Sequence, residues 1–209
     1  MAPRRYDQFC GLARALEIVG ERWTLLVVRE LLDGPQRYGD LLDGLAPIAT
    51  DVLAGRLREL EAAGLVTRVP GRVYALTQDG AELAPALDAL ARWGVRRLER
   101  RPDDVVRPRW LGLAVRSLVR PDRPGVDLVL RLDAPEGSAT LRITESEVAD
   151  VTDAADRDAD VVLGGEAEAL AAALDPGRRP ELLAAGALRV EGSPAAVRTL
   201  ATLFEGGGR

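Results

Sequence analysis

"IATDVLAGRLRELEAAGLV", residues 48–66, is the stretch on which the fold of the first half turns. Leu53, Leu57 and Leu60 recur at spacings of four and three, which lays one apolar stripe along a helix. Gly64 stands where a helix ends in a left-handed residue, and an apolar strand follows it. Each residue advances about 100° around a helix. With the leucines facing inward, Asp51, Gly55, Arg58 and Ala62 point away. Thr50 is placed as the N-cap, where its hydroxyl can accept a free backbone N–H. The outer face is small in its middle and basic beyond it. Small residues let a backbone approach base edges, and arginine pairs with guanine or phosphate. An ordinary amphipathic helix with a solvated outer face shows the same stripe, so the neighbouring segments have to decide.

Those neighbours favour nucleic acid. Residues 11–19 and 22–32 are predicted helices separated by Gly20, and a third short helix falls near 38–43. After the helix at 50–63 come two brief strands, "LVTRV" and "RVYAL", joined by Pro70-Gly71 as a tight hairpin. Residues 77–100 then form one long predicted helix with Leu83, Leu87, Leu90 and Leu98 on its apolar stripe. Three helices and a hairpin make a winged helix-turn-helix, whose recognition helix enters the major groove. The expected DNA face comprises Arg37, Tyr38, Thr50, Asp51, Gly55, Arg56, Arg58, Arg68 and Arg72. Most of these arginines are expected on phosphate, because phosphate contacts outnumber base contacts and set register. Arg56 lies nearer the core edge than Arg58, so bracing the fold and touching DNA stay open as alternatives for it.

Composition sets the bounds. The chain has 209 residues, 47% of them hydrophobic, enough for one or two real cores. Charges interrupt every apolar run well short of a membrane span. "MAPRRYDQFC" lacks the hydrophobic region of a signal peptide, and a single cysteine forbids an internal disulfide. A cytoplasmic location is the expectation. All 28 basic residues are arginine, a mark of coding bias. The net charge of −5 does not by itself suggest nucleic acid, but it is unevenly spread. Residues 1–100 hold 14 Arg against 14 Asp and Glu, while residues 101–209 hold 14 against 19. A neutral half joined to an acidic half suggests two jobs. The Pro-rich, charged "RRPDDVVRPRW" at 100–110 marks the join: domains at 1–100 and 110–205, with a linker at 101–109.

Residues 5–95 resemble the HxlR family of bacterial winged-helix transcriptional regulators. The resemblance rests on "FCGLARALEIVGERWTLLVVRELLDGPQRYGDLL", "LAGRLRELEAAGLVTR" and "YALTQDGAELAPALDALARWG", in order and at matching spacing. It implies a homodimeric regulator bound to double-stranded DNA, with the terminal helices of the domain forming the dimer contact. Gly11 follows Cys10 where the family usually has proline, and the wing is short. Some regulators resembling this family sense oxidants or electrophiles through the corresponding cysteine. Cys10 precedes a helix and Arg14 lies one turn on, which suits a low-pKa thiol. The alternative favoured by the second domain is that Cys10 is a small buried hydrophobe. Trp23 and Trp93 are expected in the core.

The second half reads as α+β. "WLGLAVRSLV" is a helix, and "VDLVLRLDA" and "SATLRIT" alternate as half-buried strands. "ADVVLGG" and "ALRVEG" are further strands, "EAEALAAAL" and "PELLAAG" are helices, and "SPAAVRTLATLF" is a closing helix capped by Ser193. Residues 108–205 resemble the sterol carrier protein type 2 fold, carried by "VDLVLRL", "ATLRIT", "ADVVLGGEAEALAAALDPG" and "LLAAGALRVEGSPAAVRTLATLF". That likeness implies a roughly five-stranded sheet and helices around an apolar cavity, here lined by Trp110, Leu128, Leu130 and Leu141, for a hydrophobic small-molecule effector. The bland alternative is a filled core.

Catalysis finds little support. There is no histidine, no Gly-x-Ser-x-Gly and no phosphate-binding glycine loop. "DRDAD" at 156–160 resembles the start of a calcium loop, but Val161 and Ala167 stand where glycine and a bidentate glutamate are required. No enzyme activity, metal or cofactor is expected. The favoured reading is a ligand-responsive regulator acting as a homodimer. Its alternatives are a thiol-based redox regulator, and a lipid or small-molecule carrier whose winged helix serves protein interaction.

Overall fold

The computed structural model describes residues 5–95, 97–101, 103–150 and 159–204, arranged in two compact units, Met1–Leu87 and Asp88–Arg209. In the first unit, helices α1 (Gly11–Val19), α2 (Thr24–Leu32), α3 (Tyr38–Gly44) and α4 (Thr50–Ala62) precede the hairpin of β2 (Val66–Val69) and β3 (Val73–Leu76). A two-residue strand, β1 (Gln36–Arg37), pairs with β3, so the sheet runs β1-β3-β2, antiparallel throughout. The leucine stripe of α4 lies where its period puts it. Leu53, Leu57 and Leu60 are at most 1% exposed and share a core with Val27, Val28 and Leu31 of α2 and Leu41 of α3. Each such side chain contributes about 1.5–3 kcal/mol by leaving water. Gly64 takes φ +76°, and the Leu65 N–H returns to the Leu60 carbonyl at 3.0 Å, so the helix ends on a left-handed cap.

Three expectations change here. Thr50 is the first residue of α4, and Ala49 occupies the cap position without a side-chain bond. The predicted helix over 77–100 is broken into α5 (Gln78–Ala81) and α6 (Ala84–Val95). Thr77 starts α5 by accepting the Gly80 N–H at 3.1 Å, and Pro85 supplies the physical cause of the break. It has no N–H to give, and its ring clashes with a preceding helical turn, so it is tolerated only at a helix start. Trp93 is also more than half exposed, with the Arg97 guanidinium 3.8 Å from its ring centroid, and Leu90 and Leu98 are exposed as well. Trp23 is half-buried at φ +76° against the first core.

The division between the units falls within α6, before the Pro-rich segment assigned as the linker. Residues 98–107 are counted with the second unit. That unit runs α7 (Pro108–Leu118), β4 (Asp127–Ala134), β5 (Gly137–Thr144), β6 (Val148–Asp150), β7 (Val161–Gly165), α8 (Ala167–Ala173), a 3-10 turn (Pro176–Arg178), α9 (Arg179–Ala184), β8 (Leu188–Gly192) and α10 (Pro194–Leu203). The five-stranded sheet has the order β6-β5-β4-β7-β8, with β4 and β7 parallel and the other pairs antiparallel. Its fifth strand, β6, is short, and no alternation marked it in the sequence.

One face of this sheet is apolar and closed. Leu128, Leu130 and Leu132 of β4 pack with Leu141 and Ile143 of β5 and Val161 and Leu163 of β7. Val115 of α7, Leu170 of α8 and Leu200 and Leu203 of α10 join the same cluster. The alternate positions carry Asp127, Arg131 and Asp133 of β4 and Arg142 of β5, with Val129 and Val162 among them, and Arg142 grips Asp127 through two bonds of 2.7 and 2.8 Å. Ser193 caps α10 as its sequence suggests, accepting the Ala196 N–H at 3.1 Å. Of "DRDAD", residues 156–158 lie outside the described residues, while the Asp160 carboxylate accepts the Val129 N–H at 2.7 Å.

Separate cores can be perturbed separately. Leu57→Ala is expected to cost the first unit about 2–5 kcal/mol. Native-state hydrogen exchange should show the amides of α4 losing protection while those of β4 and β5 keep theirs.

Candidate nucleic-acid interface and a second-unit cavity

The outward face of α4 follows from its buried one. Thr50, Asp51 and Arg58 are exposed and Gly55 is half-buried, with only open space where a Cβ on Gly55 would lie. Asp51 sits in the first turn, where a carboxylate suits the positive end of the helix. Tyr38 turns inward: its hydroxyl donates to the Thr50 carbonyl at 2.7 Å and ties α3 to the start of α4. At the wing tip, Gly71 and Arg72 take φ +91° and +60°, so Arg72 belongs to the turn rather than the strand.

The five arginines of the expected DNA face divide into two groups. Arg56 is 15% exposed and held by Glu59 at 2.7 Å, with Glu21 at 3.9 Å, which makes it a brace between α4 and the turn before α2. Arg68 pairs with Glu61 at 2.8 Å and lies 5.1 Å from the centroid of the Tyr74 ring. Arg37, Arg58 and Arg72 are exposed, and their guanidinium groups form no ion pair among the described residues. Pairing of this kind needs the neighbouring strand or turn in place, and the sequence offered a signal only for Arg56.

Cys10 departs from the buried alternative. It is exposed and occupies the N-cap position of α1 with extended backbone, φ −141° and ψ 129°. The backbone N–H groups of Ala13 and then Leu12 hold its thiol below the ordinary value, because free donors at a helix start favour the thiolate. Arg14 is not the cause: it is committed to Glu17 at 2.6 Å.

The second unit contains a cavity of about 350 Å³, but its position differs from the expected one. Leu98, expected on the long helix, and Val105 and Val106 of the expected linker form one wall, and Trp110, Leu111 and Ala114 of α7 with Ala167 and Ala171 of α8 form the other. Trp110 lines it. Leu128, Leu130 and Leu141 do not: they are at most 3% exposed in the packed core, because helical side chains fill the space above the sheet. The adjacent Val105 and Val106, an apolar pair inside a charged segment, were the signal that this stretch packs. Glu99, Arg100, Asp104, Arg107 and Glu168 supply its charged lining. Arg100 anchors the wall, with Glu136 beyond β4 at 3.0 Å and Glu166 before α8 at 3.3 Å. On α6, burial pushes the Asp88 carboxyl up against the opposing pull of Arg116 and Arg92. Arg92 Nε donates to the Ser117 carbonyl of α7 at 2.6 Å.

This arrangement of helices and wing has relatives. The family model described as HxlR-like helix-turn-helix matches residues 18–102. An uncharacterized HTH-type transcriptional regulator of Synechocystis is 38% identical over 96 residues, 43% of this chain and 71% of that protein. A counterpart in Mycobacterium bovis is 43% identical over the same share of this chain, which spans only 60% of its length. Among solved structures, the reduced form of the transcriptional regulator YodB from B. subtilis is 30% identical, covering 46% of this chain and all of that one, with a TM-score of 0.38. The chain belongs to the HxlR-like helix-turn-helix family.

The thiol geometry makes a measurable claim. The pH midpoint for alkylation of native Cys10 by iodoacetamide is expected to lie below that of the same chain unfolded in urea, where the helix-start donors are gone. Coincident midpoints would show that α1 does not act on the thiol.

Proposed function

We propose that this chain is a cytoplasmic transcriptional regulator, without enzyme activity or cofactor, that binds double-stranded operator DNA as a homodimer and responds to a hydrophobic small molecule through its second unit. The observation that carries the DNA reading is the pairing pattern of the arginines. A winged helix-turn-helix held by three buried leucines leaves Arg58 on the recognition helix and Arg72 on the wing tip exposed and without an ion pair among the described residues. Such groups are available to phosphate or to guanine. A module serving only protein interaction would not require them. Family membership supports the same reading, since the relatives are named as transcriptional regulators.

Dimerisation is supported by apolar side chains left in water. Phe9, Leu12, Leu16 and Ile18 are exposed on and before α1, as are Leu90 and Trp93 on α6. Large apolar side chains left in water within one unit support an association site. A two-fold dimer would read a pseudo-palindrome with half-sites about one helical turn apart. The effector reading rests on the cavity and on the likeness of residues 108–205 to the sterol carrier protein type 2 fold. A second reading, thiol-based redox control, is favoured by one observation: Cys10 is exposed at a helix start that stabilises its thiolate.

Binding of the chain to its own promoter region tests the first claim. Arg58→Ala and Arg72→Ala should each weaken binding and reduce the slope of log K against log salt by about 0.9 per lost phosphate contact. Arg37 is expected to behave alike, and unchanged affinity and slope in all three variants would place DNA on another face. Sedimentation tests the second: Leu12→Glu with Leu16→Glu should convert the dimer to monomer.

A further inference from the structure

We propose that the second-unit cavity is a binding site for a hydrophobic monocation, an apolar body carrying a single ammonium or amidinium group, and that residues 98–100 and 104–107 form part of its wall. This deepens the effector reading above and rests on it only for the regulatory consequence.

The volume and the lining argue for a small ligand. At about 350 Å³ the cavity lies in the range that encloses drug-sized molecules. Its inner walls are aliphatic side chains and the Trp110 ring, so the body of the ligand must be apolar. Charge selects the head group. Arg100 already answers two carboxylates, Glu136 and Glu166. Arg107 is engaged by its neighbours, with its guanidinium 6.0 Å from the Trp110 centroid. Asp104 accepts the Arg101 N–H at 2.8 Å. Glu99 and Glu168 remain. Both are exposed, and neither has a hydrogen-bond or ion-pair partner among the described residues. The two uncommitted charges of the lining are therefore both carboxylates, from opposite walls. A cationic head placed between them gains two ion pairs and leaves Arg100 undisturbed. An anionic head would meet both carboxylates, and could find a cation only by drawing Arg100 or Arg107 from the contacts they already make.

The test is calorimetric titration of the full-length chain with decyltrimethylammonium, decanol and decanoate, each below its micellar concentration. These share an apolar tail and differ in charge. The expected result is one cation per chain, bound about tenfold tighter than decanol, with decanoate weakest; two exposed ion pairs support a factor of that order. Glu99→Gln with Glu168→Gln should bring the cation to within about twofold of decanol and leave decanol unchanged. Ala171→Phe, which fills the cavity from α8, should abolish binding of all three, with circular dichroism confirming the fold; Ala114→Leu serves should that variant unfold. Decanoate binding as tightly as the cation, a preference that survives the double variant, binding that survives a filled cavity, or no binding to the wild type would each overturn the proposal. Promoter binding measured in parallel separates the two readings. A cation that binds without altering DNA affinity leaves the site standing and removes its regulatory role. DNA binding that persists with no cation bound removes the site and leaves the DNA reading intact.

Discussion

The burial of Leu53, Leu57 and Leu60 is the constraint on which the first unit depends. Three side chains at most 1% exposed give one helix a single allowed rotation about its axis. Everything functional about α4 follows from that rotation. Arg58 is outward because Leu57 is inward, and Gly55 faces open space for the same reason. The left-handed cap at Gly64 then turns the chain into β2, so the wing is placed by the same helix that presents the outer face.

Arginine is the only base in this protein, and the fold sorts it by partner. Arg56 and Arg68 are spent on glutamates within the first unit, and Arg100 and Arg142 on carboxylates within the second. Of the arginines on the expected DNA face, Arg37, Arg58 and Arg72 are left without an ion pair among the described residues. This explains how a chain of net charge −5 can carry a local surface suited to phosphate. The count of charges describes the whole molecule, whereas binding depends on which of them lack a nearer partner.

The segment between the two halves is a structural element in its own right. Charge and proline density suggested a linker at 101–109, but residues 104–107 of it line a cavity together with α7 and α8. Arg100 holds that wall at two points of the second unit. Helix α6 leads into it: Leu87 belongs to the first core, and Arg92 bonds to α7. Between the wing and the cavity wall the chain runs through α5 and α6.

Periodicity alone determined most of the elements. The stripe of α4, the alternation of β4 and β5, the Gly64 cap and the Ser193 cap are local features, set by residues within a turn or two of one another, and all are visible in order along the chain. Pro85 was equally local, and its break in the helix was there to be read. What only the tertiary structure decided is which groups have partners. Arg56 became a brace because Glu59 and Glu21 reach it, Tyr38 turned inward because the Thr50 carbonyl lies within 2.7 Å, and Cys10 stayed exposed because no core covers it. The cavity moved from the sheet to the segment before α7 for a similar reason: the alternating leucines of β4 predict a buried face, but whether that burial is by ligand or by helix depends on how completely α7, α8 and α10 fill it. Packing of side chains distant in sequence settles such questions, and no local spacing encodes it.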